Sequence, residues 1–165
     1  MNTDQYGVPL VIFGPHSEDF FPLLGRAVAL WSIIENNVRM LTHRLPISQE
    51  LKTKPISAIL KHAKNGVSKL EQDSFRHTLL AYLNSVCEAA EKRNAYAHSL
   101  WPAVSMGYPE VRGWKPEPWK ETVELGSDLE ELRNDVKTFA DLVMSWNDEI
   151  IHIYNRLPVI ERVEA

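Results

Sequence analysis

Little in this chain of 165 residues offers a chemically loud signal, and each absence removes a class of function. There is one cysteine, Cys87, so no intrachain disulfide can form. Its place beside Val86 on an apolar-periodic segment reads as a small buried thiol rather than a nucleophile. No run of 18 apolar residues occurs, which excludes a transmembrane helix of ordinary length. The opening residues, Met1 to Tyr6, are polar and lack a basic flank, and the short apolar run from Val8 to Phe13 contains Pro9, so a signal peptide is not expected. These features lead to the expectation of a cytoplasmic protein without a membrane anchor. No P-loop, dinucleotide fingerprint, nucleophile elbow or zinc spacing is found. The six histidines (16, 43, 62, 77, 98 and 152) are scattered, none three or four residues from another, so neither a metal nor a cofactor is expected. Glu149 and His152 have the E-x-x-H spacing of di-iron bundles, but such a site needs a second copy and the chain has none. Asp148 with His152 and Asp73 with His77 read as surface pairs one helical turn apart.

What is present is ordinary in amount and uneven in arrangement. Hydrophobic residues make up 44% of the chain and charged residues 24%, values of a soluble globular domain, and the net charge of -4 argues mildly against general nucleic-acid binding. Between Arg39 and His77, however, eight Lys/Arg face three acids, a net of +5 that leaves -9 for the remainder. A basic face can hold phosphates in an acidic protein; the plainer reading is a solvated surface of short helices.

Helical periodicity dominates. Ser17, followed by Glu18 and Asp19, can cap a first helix running to about Arg44, with Leu23, Ala27, Leu30, Ile34, Val38, Leu41 and Leu45 on one stripe and Pro46 ending it. Pro55 can start a short helix through Ile56, Ile59, Leu60 and Ala63, which Asn65-Gly66 is expected to stop. A third helix is expected from Asp73 to Leu100, with Leu79, Leu83, Val86, Ala90 and Ala97 in its seam. Ser127, Asp128, Leu129 and Glu130 form a capping box that opens the most regular helix, whose seam of Leu129, Leu132, Val136, Phe139, Val143, Trp146, Ile150, Ile153 and Leu157 suits a bundle or a dimer interface. Residues 102–126 hold four prolines and Trp114 and Trp119, an aromatic insertion in which Val104–Met106 and Glu110–Trp114 can pair as a hairpin around Gly107-Tyr108-Pro109. Its rings, with Trp101, serve more readily to pin a loop than to stack bases. The expected architecture is an all-α, up-down helical bundle of three long helices and one short, with an N-terminal arm (1–16), a helical domain (17–158) and a loose tail (159–165).

The third helix breaks its own pattern near its end. Asn94 falls in the apolar stripe, and Arg93 and His98 lie on opposite shoulders of it, about 140° apart. Polar groups at a packing face are costly unless partnered, which marks the stretch as functional. The run Arg93-Asn94-Ala95-Tyr96-Ala97-His98 resembles the motif of the HEPN family (higher eukaryotes and prokaryotes nucleotide-binding domain): an Arg, a polar residue, several more residues, then His, late on a long helix of an all-α bundle. The resemblance spans roughly residues 18–157, although only these six positions are specific to it. It implies a metal-independent endoribonuclease in which two protomers join their motifs in one cleft, with Arg93 on the scissile phosphate, His98 as general acid or base, and Asn94 orienting the pair. Such proteins serve as toxins or defence elements, so a homodimer, an RNA substrate and an antitoxin protein are the implied partners. Tyr96, one turn from Arg93, can touch a ligand. Glu35 on the first helix can pair with Arg93, or else with Arg39 one turn along its own helix. The alternative is a non-catalytic dimeric module in which the same polar cluster binds a nucleotide or a partner, or ties helices together.

Overall fold

The computed structural model describes residues 20–47, 51, 53–98, 112–115, 123–126 and 129–159. The protein is an all-α helical bundle carrying one small hairpin. Helix α1 spans Phe20–Thr42, α2 Ile56–Val67 and α3 Asp73–His98; strands β1 (Arg112–Lys115) and β2 (Val123–Gly126) follow, then α4 (Leu129–Ser145), a π turn (Trp146–Ile150) and α5 (Ile151–Arg156). Helical backbone angles persist through Ser145, Ile150 and Ile151, so the last three segments form one continuous helix with one wide turn. In that turn the Ile151 N–H donates to the Trp146 carbonyl, five residues back. Among the described residues no helix is long and apolar enough to cross a membrane.

The chain divides into two compact units, Met1–Val28 with Glu91–Lys137, and Ala29–Ala90 with Thr138–Ala165. In the second, the expected stripe is the core: Ile34, Val38, Leu41 and Leu45 from α1 and its exit, Ile59, Leu60, Ala63 and Val67 from α2, and Leu79, Leu83 and Val86 from α3 are all buried. Phe139 and Trp146 close it, with the Phe139 ring 6.1 Å from Trp31 and the Trp146 ring 6.0 Å from both Tyr82 and Tyr154. Arg39 fixes the segment after α1 by donating to the carbonyls of Leu51 (3.5 Å) and Lys54 (3.3 Å) while pairing with Glu35 at 2.6 Å. Arg44 donates to the Leu157 carbonyl at 3.2 Å and lies 5.0 Å over the Tyr154 ring, holding the end of α5. In the first unit, Phe20, Leu23, Ala27 and Leu132 are buried.

Several expectations change in detail. Helix α2 does not stop at Asn65-Gly66 but continues to Val67, and Gly66 is buried against the segment following α1. A Cβ there would lie 2.9 Å from Leu45 Cβ and 3.0 Å from Ile47 Cγ1, so glycine here permits close approach rather than ending a helix. The hairpin pairs Arg112 with Gly126 and Lys115 with Val123, so the partner of the first strand comes after it in sequence; the expected partner, 104–106, lies outside the described residues, as do the arm, most of the tail and the capping Ser17 and Ser127. Cys87 is half-buried, one position off the seam. Asp73 pairs with Arg76, three residues on, rather than with His77.

Candidate functional site

The late turns of α3 hold the polar motif, all of it within the first unit. Arg93 and Asn94 are both half-buried. Arg93 Nη1 donates to Asn94 Oδ1 at 3.3 Å, which occupies one of its five donors and leaves the rest of the guanidinium fork for a ligand. Lys92, one position earlier, pairs with Asp135 of α4. The Asp135 carboxylate is only 2% exposed while Lys92 is 48% exposed, so the pair sinks its negative end into the protein and ties α3 to α4 beside the motif. A carboxylate so deeply placed requires a cation or strong donors, and Lys92 supplies a cation.

His98 is the last residue of α3, five residues after Arg93. The side chains of Tyr96 and His98 lie outside the described residues. Glu35 lies in the second unit and accepts from Arg39, the own-helix alternative named for it above. Among the described residues no group of three or more His, Cys, Asp or Glu gathers in a metal-holding arrangement.

Sequence reading passed over Lys92 and Asp135. The signal for Asp135 was available: it lies next to Val136, in a position of α4 that packs, and an acid there calls for a partner. It also missed a second buried polar group. Asn37 of α1 and Tyr82 of α3, each 6% exposed, sit together in the second unit with Asn37 Nδ2 and the Tyr82 hydroxyl lacking a well-formed hydrogen bond. Burial pushes the Tyr82 phenol well above the ordinary tyrosine range, and the neighbouring Asn37 amide offsets part of that shift.

No family model matches the chain, and neither a curated protein nor a solved structure matches it.

Proposed function

We propose that the protein is a HEPN-like, metal-independent endoribonuclease whose active site is assembled from the Arg93–His98 motifs of two protomers. The observation that carries the reading is a half-exposed guanidinium, Arg93, steadied by Asn94 on a helix that the Lys92–Asp135 pair holds in place. Arg93 binds the scissile phosphate and stabilises the charge that grows on its oxygens. One His98 takes the proton from the 2′-hydroxyl as its oxygen attacks phosphorus. The bond from phosphorus to the 5′-oxygen breaks, and the His98 of the other protomer returns a proton to that oxygen. The products are a 2′,3′-cyclic phosphate and a free 5′-hydroxyl. Two imidazoles, one neutral and one protonated, suit this exchange near neutral pH. Cytoplasmic residence and an antitoxin partner follow from the same reading.

The Lys92–Asp135 tie also supports a second reading, in which the polar cluster joins helices within each protomer of a dimeric binding module and cuts nothing. Rates separate the two. In EDTA the wild type is expected to cleave single-stranded RNA, and Arg93→Ala and His98→Ala to lose about 100-fold or more, the scale of a lost charge stabiliser or general acid–base. Asn94→Ala is expected to lose less. Equal rates in wild type and His98→Ala reject catalysis by the motif and leave the binding module.

A further inference from the structure

Helix α2 and the residues flanking it carry charge of one sign. Between Leu51 and Leu70 there are five lysines and no acid, within a protein of net charge -4. The apolar side of α2 is spent on the core, where Ile59, Leu60, Ala63 and Val67 are buried. Ser57, Lys61 and Lys64 recur at steps of four and three on the other side, with Lys54 just before the helix and Lys69 just after it. Lys54, Lys61 and Lys69 are exposed and Lys64 is half-exposed. The ion pairs Glu35–Arg39, Asp73–Arg76 and Lys92–Asp135 involve none of these four lysines, and among the described residues no acid neutralises them.

The row ends at a cavity. Lys69 is part of the wall of a pit of about 300 Å³ that also presents Arg44 and Arg156, with Glu71 as its acid and Leu70, Phe75 and Leu157 among its apolar surfaces. All of these residues belong to the second unit. A pit of this size, whose walls combine apolar side chains with three cations, suits one flat ring bearing a phosphate. A row of cations followed by a ring-sized pit therefore matches a single polynucleotide strand.

We infer that α2 and the adjoining pit form a second RNA-contacting surface, with Lys54, Lys61, Lys64 and Lys69 following the phosphates of a single strand and the pit taking one nucleotide, its base against Phe75 and its phosphate between Lys69 and Arg156. The inference deepens the nuclease reading by taking RNA as its ligand, but it needs no cleavage. A membrane surface is disfavoured because the apolar residues of α2 point into the core and leave nothing to insert between lipids. An acidic polypeptide would satisfy the lysines but gives the pit no flat anionic group.

The test is fluorescence anisotropy with a labelled single-stranded 2′-O-methyl RNA, which lacks the hydroxyl that the proposed cleavage attacks. Binding is thereby read apart from catalysis: retained binding with no cleavage of ordinary RNA sinks the nuclease and spares this surface. Four phosphate contacts predict a slope of log affinity against log salt of about -3 for a single strand. Lys61→Gln/Lys64→Gln is expected to weaken binding about tenfold at low salt and to flatten the slope by about 1.4. Phe75→Leu is expected to weaken it about fivefold or more with the slope unchanged, the mark of a lost stacking ring. Lys137→Gln on α4 serves as the charge control and is expected to bind as the wild type does. Wild-type affinity and slope in the double variant overturn the proposal. So does competition by polyglutamate, or by phosphatidylserine vesicles, that equals competition by unlabelled RNA at the same charge concentration.

Discussion

Tyr82 shows how a single buried group leaves a measurable trace. Its hydroxyl lacks a well-formed hydrogen bond, and burial holds its ionisation above the ordinary tyrosine range. The unfolded chain releases this proton near pH 10, and the folded protein keeps it to a higher pH. The folded state therefore loses stability relative to the unfolded one as pH rises past about 10, by up to about 1.4 kcal/mol per pH unit, and none of this loss occurs below that pH. Tyr82→Phe removes the group. Urea unfolding at pH 8 and pH 11 is expected to show the wild type falling more steeply than the variant; parallel losses would mean that the phenol ionises as freely folded as unfolded. Arg93 and Asn94 illustrate the opposite situation at the same scale. They were legible in the sequence because one falls in an apolar stripe and the other beside it, and both are half-buried. Tyr82 and Asn37 were not legible. A tyrosine at a core position passes for one more apolar ring, and only the packing reveals that its oxygen is stranded.

Among the elements, the seams of α1, α3 and α4 were readable because steps of three and four leave one solution, and nearly every seam residue that is described is buried or half-buried. The π turn was not readable, because an extra residue between Trp146 and Ile150 leaves both buried and the seam unbroken. The hairpin was half-readable: the sequence placed a strand over 110–114, which overlaps β1, but nothing local names the partner of a four-residue strand. Gly66 was misread because glycine ends helices more often than it admits a neighbour. A paired substitution separates these two uses of glycine within helices. Gly25→Ala, with nothing among the described residues within 4 Å of the new carbon, is expected to gain about 0.5–1 kcal/mol from helix propensity alone. Gly66→Ala meets Leu45 and Ile47 and is expected to lose about 1–2 kcal/mol, overpacking outweighing the same gain. Denaturant midpoints that move in the same direction for both would contradict the close approach of α2 to the segment after α1.

For the whole molecule, the nuclease reading requires two copies of the chain, because one motif supplies one imidazole and the proposed chemistry uses two. Sedimentation velocity at micromolar concentration is expected to give twice the mass of 18.9 kDa. A strict monomer that still cut RNA would move the acid and base to other residues. The uneven charge belongs to this scale as well: in a chain of net charge -4, the RNA surface proposed for α2 depends on cations gathered locally rather than on the overall charge. The most direct measurement is the mass of the upstream fragment after RNA is incubated with the protein in EDTA. The account predicts a terminal 2′,3′-cyclic phosphate with the wild type and intact RNA with His98→Ala. A 3′-hydroxyl terminus, or the same fragments from both proteins, would contradict it.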